Sequence, residues 1–244
     1  MNIKLTWKFV VAFLALTFVM HEAHEIVHTT VGRIICGCWG ERDFNAWKLC
    51  EGCAEQHPLS LISTFAGPMF TFAMIWLGAA MLKVGNAVEK KSLGFALIFA
   101  NMPFARILTA AIGGGDEVWG INKILQSHPL SWMLGLALIL LILFYPLREA
   151  FKTIANKKRL GWFALFFFAP VAVDLIVVLG LLNTALDKGV LSDDWILGSP
   201  ILVTAWTVSV LAVFIVTRKY IYTLGMNSQA GLASSSPTSN YGSI

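Results

Sequence analysis

The sequence predicts an all-α protein, a polytopic membrane helix bundle with about six transmembrane helices. Three observations predict it. Of 244 residues, 57% are hydrophobic and only 13% are charged, against about 45–50% and about 25% in an ordinary soluble domain. The apolar residues gather into runs near the ~20 residues that ~30 Å of hydrocarbon requires. Most of the lysines and arginines cluster beside those runs. The lipid bilayer is therefore the expected partner. The net charge is a modest +4 with no spread-out basic patch, so no nucleic acid is expected to bind.

Six spans follow at about 6–31, 59–82, 93–112, 131–147, 161–182 and 199–217. Each is expected to be helical, because an isolated strand leaves its backbone groups unpaired in lipid. The first run follows Lys4 and Lys8, as a signal peptide would. It passes directly into His21-Glu22-Ala23-His24-Glu25 without a small-residue cleavage site, so a retained helix is expected. Pro103, Pro146 and Pro170 read as kinks within spans. Residues 218–244 are expected to form a disordered cytoplasmic tail, most clearly from Asn227 onward, where Ser, Gly, Asn and Thr dominate.

Basic residues set the orientation. Lys4 and Lys8 precede the first span. Lys83, Lys90 and Lys91 follow the second. Arg148, Lys152, Lys157, Lys158 and Arg159 lie between the fourth and fifth, and Arg218 and Lys219 follow the sixth. Six alternating spans put all four regions on one side, with both termini cytoplasmic at a plasma or inner membrane. The loops 32–58 and 183–198 then fall outside. The second of these carries Asp187, Asp193 and Asp194.

The first span ends in His24-Glu25-Ile26-Val27-His28, a HExxH pattern. Histidines four apart share one helix face and reach one metal ion. Glu25 is offset from His24, so it contacts a water at the metal without being a ligand, as a general base must. The expected cofactor is Zn(2+). Three of the five histidines lie between residues 21 and 28, and ionisable residues in a membrane helix are costly enough to imply function. His21 stands about 10.5 Å along the axis from His28, so a tetrahedral ion is not expected to take all three. His21 is expected to support a ligand or sit at the interface, and Glu22 to be solvated or paired.

A catalytic zinc usually has three protein ligands and one open position. Asp116 follows Gly113-Gly114-Gly115 at the outer end of the third span. The glycines should end or distort the helix and let the aspartate turn toward its neighbour. The first span also ends outside, so the HExxH and Asp116 meet at similar depth. Glu117 is the immediate rival.

At this point roughly residues 15–120 resemble the site-2 protease family of intramembrane zinc metalloproteases. That family pairs HExxH in one membrane helix with an aspartate ligand in a later one. It often carries Ala-Gly-Pro-x-x-Asn between them, and here Ala66-Gly67-Pro68-Met69-Phe70-Thr71 stands in that place. Its aspartate region often reads Asn-x-x-Pro and then Leu-Asp-Gly. Here Asn101-Met102-Pro103 is followed by Gly114-Gly115-Asp116. The resemblance implies that Asn101 and Thr71 position substrate. Thr71 replaces an asparagine, Glu117 replaces a glycine, and the spacing from Asn101 to Asp116 is longer than the family's. The family's site often lies nearer the cytoplasmic side, whereas the basic loops place this one nearer the outside.

All four cysteines, Cys36, Cys38, Cys50 and Cys53, fall in the loop 32–58. Outside a cell, disulfides are the favoured reading, with a structural metal held by four thiolates the alternative. Their pairing is not readable from spacing. The loop should cover the metal site, as a lid or as a brace. Arg106 and Asp174 are charged residues inside spans and are expected to pair with each other. The alternative is that Arg106 stabilises the oxyanion at the zinc, but along a continuous helix it lies about 15 Å from Asp116.

The function expected from these residues is zinc-dependent intramembrane proteolysis, a metalloendopeptidase activity on a membrane protein substrate. A membrane hydrolase of a lipid or small molecule would use the same ligands. A non-catalytic metal-binding membrane protein is the third class.

Overall fold

The computed structural model describes residues 1–225. Thr6 starts the first helix by accepting the Phe9 N–H on its side chain, and Gly37 ends it in the left-handed region. The resulting α1, Trp7–Cys36, has 30 residues and is about 45 Å long. That exceeds the hydrocarbon thickness, so one end projects.

After a loop come the short α2 (Cys53–Gln56), a 3-10 turn (Pro58–Leu61) and α3 (Ile62–Met81). Then follow α4 (Val88–Ala100), α5 (Pro103–Ala111), α6 (Gly115–Leu125) and α7 (His128–Thr153). The helix α8 (Arg159–Asp174) widens into a π segment (Leu175–Asn183) and closes as α9 (Thr184–Asp187). The last helix, α10 (Ile201–Thr217), ends in a 3-10 turn (Arg218–Thr223). Among the described residues there is no extended strand, only the isolated bridges Arg42–Trp47 and Asp194–Pro200. Six stretches are long and apolar enough to cross a membrane: 7–36, 58–81, 88–111, 128–153, 159–187 and 201–223. The chain is a multi-pass integral membrane protein with an all-α bundle.

The third span is not one kinked helix. It breaks at Asn101-Met102, where Met102 takes a φ of 45° and Pro103 begins α5 rather than bending it. Proline lacks an N–H and disfavours helix in the residue before it, so it fits the first turn of a new helix. A second reversal follows. Gly113 and Gly115 both have a φ of 84°, which only glycine adopts without strain. They fold α6 back beside α5.

Aromatic packing holds the centre. Phe166 on α8 meets Phe9, Phe13 and Phe95 edge-on, with centroids 5.0–6.1 Å apart. Gly78 on α3 and Gly94 on α4 let two backbones touch, since a methyl on either would lie within 2.6 Å of the other's carbonyl oxygen. Small residues drive helix association where lipid removes the hydrophobic incentive. Outward faces carry exposed leucine, isoleucine and phenylalanine, such as Leu141, Phe144 and Ile176. That distribution suits lipid as the surrounding medium.

The segments that end the spans lock together at both ends of the bundle. At one end the Met1 amine donates to the Thr153 carbonyl, Asn156 bonds both backbone groups of Ile3, and the Lys4 N–H donates to the Leu224 carbonyl. Gly225 donates to Ser92 there too. The four basic regions therefore gather at a single end. Part of the expected disordered tail is instead folded: Ile221 and Leu224 are buried among the helices. The rest of it, 226–244, lies outside the described residues.

At the other end the loop after α1 is tied down twice. Disulfides join Cys36 to Cys53 and Cys38 to Cys50. Arg42 is buried, pairs with Glu22 at 2.9 Å, and donates to Ser199. The Glu22 carboxylate is thus paired rather than solvated. Removing the second bridge with Cys38→Ser and Cys50→Ser is expected to cost about 2–4 kcal/mol. Thermal unfolding in detergent and limited proteolysis of residues 37–57 check this. A protease-resistant loop and an unchanged unfolding temperature would show that Arg42 and the Cys36–Cys53 bridge suffice.

Candidate metal centre

The site forms where the projecting end of α1 meets α3 and the start of α6. His24 and His28, one turn apart on α1, bring their Nε2 atoms to 3.1 Å. Asp116 Oδ2 lies 3.4 Å from His24 Nε2 and 3.6 Å from His28 Nε2. A tetrahedral ion with bonds of about 2.0–2.1 Å separates its ligands by roughly 3.3 Å. The three atoms match that spacing. Among the described residues they form a single His/His/Asp group able to share one ion.

The far side of each ring supplies a second argument. His28 Nδ1 lies 2.6 Å from the Ser63 carbonyl oxygen. A carbonyl only accepts, so Nδ1 carries the proton and the neutral ring keeps a lone pair on Nε2. That lone pair faces another imidazole nitrogen and a carboxylate oxygen. One divalent cation among them would satisfy both nitrogens and the carboxylate at once. The donor set therefore fits zinc. Asp116 lies just beyond the third span. Burial opposes its charge, but the His24 ring and the Arg106 guanidinium beside it outweigh burial and hold its carboxyl well below the usual carboxylate range.

Glu25 is buried beside the trio, and its Oε2 has no hydrogen-bond partner among the described residues. It lines a cavity of about 410 Å³ with His24, Asn101, Arg106 and Asp116. Asn101 donates its Nδ2–H to the Leu97 carbonyl, and its Oδ1 has no hydrogen-bond partner among the described residues. The Thr71 hydroxyl lies 2.9 Å from His24 Nδ1, so it orients a ring of the trio besides lining the cavity.

Two expectations fail together. Arg106 does not pair with Asp174. Its Nη2 lies 2.9 Å from Asp116 Oδ2 and its Nε 3.1 Å from Glu117 Oε1. The distance along a continuous helix does not apply, because the glycine reversal returns α6 to the flank of α5. Arg106 thus aims Asp116 at the histidines, and Glu117 is its second anchor rather than a rival in the trio. Asp174 instead meets His21 Nδ1 at 2.8 Å.

Sequence reasoning missed Trp47. Its ring stacks on His28 with centroids 4.6 Å apart and planes 14° from parallel. It reaches there because the disulfides and Arg42 fold the loop over the site, and no local pattern announces that. The Ser63 carbonyl was equally invisible, being a backbone group. No family model matches the chain, and no similar curated protein or solved structure was found for it.

Proposed function

We propose that the chain is a zinc-dependent intramembrane protease, a divergent relative of the site-2 proteases, acting on a segment of a membrane protein. One observation carries the reading. Two imidazole nitrogens and a carboxylate oxygen converge within 3.1–3.6 Å, and the free carboxylate oxygen of Glu25 is buried beside them.

His24, His28 and Asp116 hold the ion, with Thr71, Ser63 and Arg106 fixing their directions. Zinc bound there supplies Lewis-acid activation of water and of a carbonyl. Glu25 takes the proton of the attacking water as its oxygen bonds the carbonyl carbon. Glu25 then returns that proton to the nitrogen as the C–N bond breaks. Asn101 presents its amide oxygen to a substrate backbone N–H. Met20, Val171 and Leu175 give the cavity an apolar wall, suited to a membrane segment. The gathering of the basic segments at one end supports both termini cytoplasmic and the site nearer the outer face.

Zinc content and peptide cleavage of the purified protein test this. Wild type should hold one zinc per chain, and His28→Ala and Asp116→Ala should each lose it with all cleavage. Zinc retained in both variants refutes the ligand set. Zinc-loaded wild type that hydrolyses lipid esters but no peptide refutes the protease reading.

A further inference from the structure

The failed pairing of Asp174 leaves a second polar cluster in the same cavity. His21 stands one turn before Glu25 on α1, so the two side chains share a face. Both His21 and Asp174 line the cavity, with side chains only 13% and 12% exposed. Asp174 closes α8 where the backbone widens into its π segment, a geometry that concentrates at functional sites.

Of the other charged groups lining this part of the cavity or next to it, Glu25 alone lacks a hydrogen-bond partner among the described residues. Glu22 accepts from Arg42 and Thr207, and Arg106 is held by Asp116 and Glu117. His21 is therefore the partner that balances Asp174. With Asp174 ionised, the imidazolium makes the pair neutral and both ring nitrogens donors. Nδ1 is spent on Asp174. Nε2 has no protein partner among the described residues. A link between α1 and α8 alone would be served by apolar packing, as the phenylalanine cluster serves it deeper in the bundle.

We infer that His21, held by Asp174, is a catalytic group whose Nε2–H donates to the substrate carbonyl oxygen as that oxygen gains negative charge. This rests on the hydrolase reading above and names the protein donor for its oxyanion. As the water oxygen bonds the carbonyl carbon, the π electron pair moves onto the carbonyl oxygen, and the water proton goes to Glu25. When the pair returns, the C–N bond breaks and the nitrogen takes the proton from Glu25. His21 gains and loses no proton. Removing one such donor typically lowers kcat by about 10²–10³-fold.

The test compares zinc-loaded wild type, His21→Ala, His21→Gln and Asp174→Asn in detergent. The probes are a quenched-fluorescent apolar peptide of about 20 residues and its phosphonate analogue, which mimics the tetrahedral oxyanion. His21→Ala should lower kcat by about 10²-fold with KM little changed and zinc retained. Its affinity for the phosphonate should fall by a similar factor. His21→Gln keeps an N–H donor and should recover part of the loss. Asp174→Asn should lower kcat by about tenfold. Undiminished kcat or phosphonate affinity in His21→Ala overturns the inference, as does a loss that tracks lost zinc. If His21→Ala does not fold, Asp174→Asn decides, and full kcat there overturns it. Wild type that cleaves no peptide sinks the protease reading and this inference together. An active wild type, an inactive Glu25→Gln and a fully active His21→Ala sink this inference alone.

Discussion

Glu25→Gln is expected to lower peptide cleavage by about 10²–10⁴-fold while leaving zinc content at the wild-type level. Glutamine keeps the shape and polarity of the side chain but has no basic oxygen to take a proton. The three atoms proposed to hold the ion belong to His24, His28 and Asp116, so zinc content should not change. Glu25 Oε2 is buried without a partner among the described residues, and a neutral amide costs less to bury than a carboxylate. Glu25→Gln should therefore be no less stable than wild type. Zinc analysis, cleavage rate and thermal unfolding on one preparation check all three statements. Full cleavage by Glu25→Gln would exclude it as the base.

Gly67→Ala is expected to empty or distort the site and lower cleavage by about 10²-fold or more. A methyl at residue 67 would lie 2.2 Å from His28 Nε2 and 2.8 Å from His24 Cε1. Neither ring has room to yield. His28 is fully buried, held by the Ser63 carbonyl on one edge and stacked on Trp47. His24 is tied to Thr71. Relief requires α3 to move away from α1, and that motion pulls Ser63 and Thr71 off the two rings. Zinc per chain and cleavage rate measure the effect. A Gly67→Ala variant with full zinc would show that the rings meet the ion from another direction.

Much of the fold was legible because its determinants are local. Span number follows from runs of apolar residues set against hydrocarbon thickness. The break at Met102-Pro103 was half legible. Proline marked an irregularity, but a kink and a new helix start look alike until the backbone of Met102 is known. The reversal at Gly113–Gly115 was announced by its glycines, while the direction taken by α6 was not. That direction explains the wrong partner assigned to Arg106: distance along a helix exceeds distance through space once the chain turns back.

The HEIVH stretch shows where the division falls. By itself the sequence determined the helix, the shared face of His24 and His28, and the offset of Glu25, because helical period alone fixes these. It also offered Asp116, because three glycines at a span end let an acidic residue turn toward the neighbouring helix. Only the tertiary structure decided what surrounds them. It supplied the Ser63 carbonyl, the Arg106 clamp, the Trp47 stack and the His21–Asp174 pair. Each depends on contacts between segments distant in sequence, and a side chain's hydrogen-bond partner is set by where the bundle places it.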